Sequence, residues 1–287
     1  MANARNKAVD KTYLSLDTAE ERGFIHRDYI AHCMRWSHVI KRLNERKGWA
    51  TARLLDVGCG RELPLAKTLY SSRYIVEQYY GVDAGPIEDA AMKVFEGHKF
   101  PLKVWENCDL MQMEQSDFDD RAINWMTMFE VAEHVEPAHL VAMLRKMNTF
   151  CSTDATFFVS TPCWNRTDCA ANHVNEMTYE CFGAVLEGCG WKIDAVYGTF
   201  ASIRDYEHLL HKLDPPLNKV FNELREYYDT NFLSCVFAPL FPAQSRNCLW
   251  ECSYVEEPNY RKFPHISDCQ RPWGSSTKWQ DFEKELA

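Results

Sequence analysis

Residues 54–65 read LLDVGCGRELPL, and the reading of this stretch decides the fold. An apolar run of strand length carries Asp56 near its end, then turns through Gly58-Cys59-Gly60 into a predicted helix over 63–70. The two glycines allow positive φ and let a ligand lie against the backbone. A dinucleotide fold asks for a further glycine, but Arg61, Glu62 and Leu63 stand there. No GK[ST] follows, and Glu62 repels phosphate. The turn is therefore expected to hold a ligand that carries no phosphate.

Outward from the turn, strands and helices alternate. Strands are predicted at 53–57, 78–82, 102–106, 122–129, 156–160 (broken by Pro162) and 191–197. Helices are predicted at 86–95, 137–150 and 177–189, the last capped by Gly190. Such alternation implies a parallel sheet covered on both faces. A seventh strand over 247–255, NCLWECSYV, returns to it after a helical, aromatic interruption. The expected organisation is a helical cap at 1–49, a core at 50–200, an insertion at 201–246, the last strand at 247–256 and a polar tail at 257–287. In the cap, Tyr29, Ile30, Cys33, Trp36, Ile40 and Leu43 recur at helical spacing, a stripe expected to pack, with Gly48 as the stop.

In an open parallel sheet, ligands bind beyond the carboxyl ends of the strands. Three successive strands there offer an acid. Asp56 suits an ammonium group or a bridging water; Asp83 suits two ribose hydroxyls; Asp109, beside Leu110, suits an adenine amino group above an apolar face. A ligand with adenine, ribose and an amino-acid ammonium but no phosphate is S-adenosylmethionine.

LLDVGCG, YYGVD, NCDL and MFEVAEHVEP, in this order and spacing, resemble the first four motifs of class I S-adenosylmethionine-dependent methyltransferases. The likeness is closest to the small-molecule group that includes the ubiquinone-biosynthesis enzymes. FFVSTP resembles that group's fifth strand, and the likeness covers about residues 50–200 with the returning strand near 250. Arg61-Glu62 depart from the family's usual further glycine. The resemblance implies an α/β, Rossmann-like, doubly wound sheet of seven mostly parallel strands. It implies S-adenosyl-L-methionine as cofactor, held by Asp56, Gly58, Cys59, Gly60, Asp83, Ala84, Asp109, Leu110, Phe129 and Glu130. The implied activity is methyl transfer to oxygen or nitrogen of a small molecule.

A methyl acceptor that carries a proton must lose it. His134, with Glu133 beside it, is the candidate base, although a histidine opening a helix and bonded to backbone is the plainer reading. Pro162-Cys163 resembles the pyrimidine C5-methyltransferases, whose cysteine adds to the base, but no matching Glu-Asn-Val segment is present. Cys163 therefore stands as an alternative nucleophile or as a packed cysteine. Trp164, Asn165 and His173, at the mouth of the fifth strand, are candidate substrate contacts, as are Arg204 and Tyr206 on the insertion. Cys163, Cys169, His173, Cys181 and Cys189 contain no CxxC pair, and no metal site is expected. Asp214-Pro215-Pro216-Leu217 lacks the aromatic of an adenine-flipping motif and reads as a turn. A protein that binds the cofactor without chemistry is a third alternative.

The net charge of −9 and pI near 5.6 supply no global field toward duplex nucleic acid or anionic lipid. No apolar run is long enough to span a bilayer, and MANARNKAVDKTY lacks a signal-peptide core. The 12 cysteines are scattered through core-like segments, so reduced thiols in the cytoplasm are expected. The insertion's aromatics and histidines suit a substrate lid or a homodimer contact, and Tyr13, His26 and Arg27 can close the same pocket.

Overall fold

The structure, a computed structural model, describes residues 27–45, 51–73, 76–164, 172–213 and 215–256. The readings at Tyr13, His26, Gly48, Asn165, Cys169, Asp214 and the 257–287 tail lie outside the described residues.

The chain opens with α1 (Arg27–Glu45) and continues with β1 (Arg53–Val57), α2 (Pro64–Ser71), β2 (Gln78–Val82), α3 (Asp89–Lys93), β3 (Leu102–Trp105), β4 (Ile123–Phe129) and α4 (Pro137–Asn148). Then come β5 (Cys151–Pro162), α5 (Tyr179–Gly188), β6 (Trp191–Phe200), α6 (Ile203–Leu213), α7 (Pro215–Leu224), α8 (Thr230–Phe237) and β7 (Asn247–Tyr254). The seven strands form one sheet in the order β3-β2-β1-β4-β5-β7-β6. All pairs are parallel except those of β7, which runs antiparallel to β5 and β6. Strand order reverses between β1 and β4, which makes their carboxyl ends the switch point where ligands bind.

Alternate side chains of each strand enter opposite layers. Leu55, Tyr80, Met126 and Phe157 pack with Leu144 and Leu186 of α4 and α5. Leu54, Tyr79, Trp125 and Phe158 pack with Val39, Leu43, Leu65 and Leu69 of α1 and α2. Both faces are covered, so β1 is buried along its whole length. A third cluster belongs to the segment between β6 and β7. It joins Tyr206, Leu210, Phe221, Leu233 and Phe237, with Tyr206 stacked on Phe241 at 4.8 Å.

Local chemistry sets the ends of the elements. Pro64 and Pro137 occupy first-turn positions of α2 and α4, where a missing N–H costs nothing. Thr178 caps α5 through the Cys181 N–H, and Gly190 takes φ 93 after it. Three elements differ from expectation. The 86–95 helix shrinks to Asp89–Lys93 because the Ile87 and Glu88 amides are drawn to Glu106 Oε2 (2.9 Å) and the Arg61 carbonyl (2.8 Å). β5 runs through Pro162 because pairing with β4 has already ended at Ser160, so the proline stands at the strand's last position with only β7 opposite it, facing Asn247. β6 extends to Phe200 on β7.

Nine of the described cysteines are free thiols, whereas Cys181 is disulfide-bonded, which corrects the expectation of uniformly reduced thiols. No helix among the described residues is long and apolar enough to cross a membrane.

Candidate active site

A cavity of about 480 Å³ opens at the β1/β4 switch point. Its floor is the turn after β1. Gly58 takes φ 71 and Gly60 φ 73. A Cβ on Gly58 would lie 2.3 Å from Val131 Cγ2, so only glycine fits this close approach. Leu63, one residue past the position of the family's further glycine, takes left-handed φ 51, and its N–H bonds the Gly60 carbonyl at 3.1 Å. Leu63 is fully buried, and Arg61 pairs with Glu88 at 2.9 Å, so packing and an ion pair hold the turn instead.

Two of the three expected acids line this cavity. Asp83 accepts from the Gly60 N–H at 2.9 Å and the Gly85 N–H at 2.7 Å, which aims its carboxylate across the turn. Asp56 accepts from the hydroxyls of Tyr79 and Thr127, the latter at 2.7 Å. Burial pushes its carboxyl up to about 6 against those hydrogen bonds. Asp109 stands off the cavity wall. It caps the short turn Leu110–Gln112 through the Met111 N–H at 2.9 Å, and Leu110 is buried in the core. Ala84 is exposed and also stands off the wall, whereas Cys59 and Phe129 line it.

Glu130 takes left-handed φ 56 at the end of β4 and is the centre of a buried network. It accepts from Ser160 Oγ (2.7 Å) and Asn247 Nδ2 (2.8 Å) and pairs with Arg35 at 3.3 Å. Burial alone would raise this carboxyl, but Arg35, His32 and the hydrogen bonds from Asn247 and Ser160 together outweigh it and lower the carboxyl below its ordinary value. Arg35, 1% exposed, also donates to Asn247 Oδ1 (3.0 Å) and Thr199 Oγ1 (3.4 Å). It approaches His32 Nδ1 at 2.8 Å, and burial followed by this cation pushes His32 down to about 3, so the imidazole is neutral. Thus α1, whose apolar stripe is expected to pack, supplies Ala31, His32, Arg35 and Trp36 to the cavity wall. In the structure the fully buried positions of α1 run 31, 35, 39 and 43, and the one charged residue in that register, Arg35, needs an internal partner.

Beyond Glu130, Glu133 is 1% exposed, and burial, reinforced by the Glu130 charge, pushes its carboxyl well above the usual range. It accepts from Thr161 Oγ1 at 3.2 Å. His134 lies at the mouth, its Nδ1 donating to the Asn172 carbonyl at 3.3 Å and its Nε2 3.8 Å from Glu133 Oε1. Burial, with His173 beside it, lowers His134, which is therefore neutral near pH 7. His173 meets His134 edge to face, ring centroids 4.9 Å apart, and its Nδ1 bonds Glu176. Glu133, His134 and His173 each offer a donor atom within 4.8 Å of the others and are the residues here that can hold a cation.

Four of the expected residues lie off the cavity wall. Cys163 is packed off the cavity wall, its thiol paired with Cys248, and this bond and burial push it well above the ordinary thiol range. A thiolate nucleophile is not available there. Arg204 is exposed, and Tyr206 is buried in the insertion's own cluster with its hydroxyl on the Ser234 carbonyl at 3.2 Å. Trp164 is buried off the wall. From the insertion side, Arg246 and Phe200 reach the cavity instead, Arg246 held by Asp205 at 2.8 and 3.0 Å.

A seven-stranded sheet with antiparallel β7, a glycine turn after β1 and acids ending β1 and β2 define a class I S-adenosylmethionine-dependent methyltransferase. The chain belongs to the methyltransferase domain family, which matches residues 26–214. It is similar in fold to the Burkholderia thailandensis 1,6-didemethyltoxoflavin-N1-methyltransferase, at 11% identity and TM-score 0.52, covering 89% of each chain. It is also similar to magnesium protoporphyrin IX methyltransferase from Synechocystis PCC 6803, at 13% identity and TM-score 0.49, covering 87% of this chain and 100% of that one. No curated protein matches the sequence significantly.

Proposed function

We propose that this enzyme transfers the methyl group of S-adenosylmethionine to an oxygen or nitrogen of a small-molecule acceptor held between β4, β5 and α1. The single observation that carries this reading is the make-up of the cavity wall. One set of groups, Asp56, Asp83 and a glycine turn, comes from β1 and β2, and the other, Glu133, His134 and His173, follows β4 and β5.

The first set fits the cofactor. It has oriented carboxylates for ribose hydroxyls and an ammonium, and the turn carries no lysine or third glycine for a phosphate. Asp83, fixed by two backbone amides, would hold the ribose, and Asp56 would face the ammonium. When bound, S-adenosylmethionine supplies an already activated methyl group. The chain's task is to align the acceptor and receive its proton. Neutral His134 and its neighbours Glu133 and His173 stand where that proton leaves. His32, Trp36 and Arg246 would shape the acceptor's pocket in place of Arg204, Tyr206 and Trp164.

The covalent pyrimidine route finds no support, since Cys163 is not on the cavity wall and its thiol is hydrogen-bonded with Cys248. Purified enzyme with labelled S-adenosylmethionine and panels of phenols, carboxylates and heteroaromatic amines tests the reading. Labelled methyl product from one class is the expected result. Product lost with Cys163→Ser but kept with His134→Ala would reverse the assignment.

A further inference from the structure

We propose that Glu133, His134 and His173 form a binding site for a divalent first-row transition-metal cation at the acceptor end of the cavity. Donor atoms from all three lie within 4.8 Å of one another. Two imidazoles and one carboxylate suit manganese, iron, cobalt or zinc better than magnesium or calcium, which prefer all-oxygen shells.

The surroundings of each donor carry the argument. A histidine presented to a metal gives its other ring N–H to a carboxylate or carbonyl, which fixes its tautomer. Both histidines are held in this way: His134 Nδ1 on the Asn172 carbonyl at 3.3 Å, and His173 Nδ1 on the Glu176 carboxylate. Thr161 likewise holds Glu133 Oε2 at 3.2 Å. What remains is Nε2 of each ring and Oε1 of Glu133, with His134 Nε2 already 3.8 Å from that oxygen. The edge-to-face rings make no hydrogen bond to each other that would use these atoms.

The backbone is joined as well. The amides of Val174 and Asn175 both donate to the Glu133 carbonyl, at 2.8 and 3.1 Å. This ties the segment after β5 to the turn after β4 at the three donors. Bonds of about 2.0–2.2 Å would set the donors roughly 3–3.5 Å apart, so closure needs side-chain movement on the order of 1 Å. Three protein ligands leave coordination positions open toward the cavity, the arrangement of a catalytic rather than a structural metal. The role of the cation rests on the methyl-transfer reading, whereas its binding does not. An acceptor hydroxyl at an open position would release its proton to solvent, since the ligating histidines are then no longer free to take it. Its oxygen, keeping the electron pair, would form the O–CH3 bond as the S–CH3 bond breaks and that bond's electron pair returns to the sulfur of S-adenosylhomocysteine.

The test uses the full chain, stripped with chelator and titrated with Mn²⁺ followed by electron paramagnetic resonance. Mg²⁺ is titrated for contrast, and S-adenosylhomocysteine is titrated in parallel by calorimetry. The expected result is one Mn²⁺ per chain in the micromolar range, weakened at least tenfold in both His134→Ala and His173→Ala. Methyl transfer should be lost on chelation and restored by Mn²⁺. No saturable binding, or equal binding by the His134→Ala/His173→Ala double variant, would overturn the site, and transfer indifferent to chelator would overturn the cation's role in the reaction. S-adenosylhomocysteine binding without Mn²⁺ binding sinks the metal site alone. The reverse sinks the methyl-transfer reading and leaves the site standing.

Discussion

Asp56 has a double identity that pH can separate. Its folded carboxyl binds a proton near pH 6, above the ordinary value of 3.8, because burial disfavours its charge. The fold therefore binds this proton more tightly than the unfolded chain does. Stability is full below pH 4, falls as pH rises through about 6 and is level above. A shift of about two units is worth about 3 kcal/mol. The ionised form is the one that would accept an ammonium group, so affinity for S-adenosylhomocysteine should rise over the same interval. Chemical denaturation and calorimetry from pH 4 to 8 read both slopes, and Asp56→Asn should flatten them together. Opposite slopes that persist in the variant would place the titration elsewhere. Gly58 is a second residue with no substitute. Alanine there would meet Val131 at 2.3 Å and strain a φ of 71. Gly58→Ala should lose about 1–3 kcal/mol of stability and at least tenfold in cofactor affinity. A variant with unchanged affinity would mean that the turn does not floor the site.

Among the elements, α1 does more than cover the sheet. Arg35 reaches β4, β6 and β7 through Glu130, Thr199 and Asn247, while Arg42 and His38 bond Glu251 on β7 at 2.8 and 3.1 Å. Arg35→Met would leave the half-buried Glu130 without its cation, at a cost of up to about 3 kcal/mol. Adding Glu130→Gln should recover much of that loss, measured by urea midpoints. Failure of the second change to rescue would show that the ion pair is not what holds the element. The strands were legible because period and punctuation agree: VGCG, GVD and FFVSTP each end an apolar run at a turn. Arg35 was not, because a single positive residue within an amphipathic helix reads as surface until its partners, on three distant strands, are in place. Arg204 and Tyr206 misled for the converse reason. Their segment folds around its own cluster, so Tyr206 points inward to Phe241 and Ser234 rather than toward the cavity.

At the scale of the molecule, one strand order brings everything together. Reversal between β1 and β4 sets the glycine turn, Asp83 and Glu130 around one opening, and antiparallel β7 returns Asn247 and Arg246 to it. The cofactor half of this site was legible from motifs because each lies at a strand end in order along the chain. The acceptor half was not, since His32, Trp36, His134, His173 and Arg246 come from both ends of the sequence and meet only through the sheet. The third acid shows the limit of strand-end reasoning, because Asp109 spends its carboxylate on a local cap beside His139 at 3.7 Å. The central claim is that Asp83, aimed by the amides of Gly60 and Gly85, grips a phosphate-free nucleoside. Calorimetric titration of wild type and Asp83→Ala with S-adenosylhomocysteine tests it most directly. The account predicts saturable one-to-one binding weakened about 10–100-fold by the substitution, the worth of hydrogen bonds to a charged group. No heat from the wild type, or equal affinity in both proteins, would contradict it.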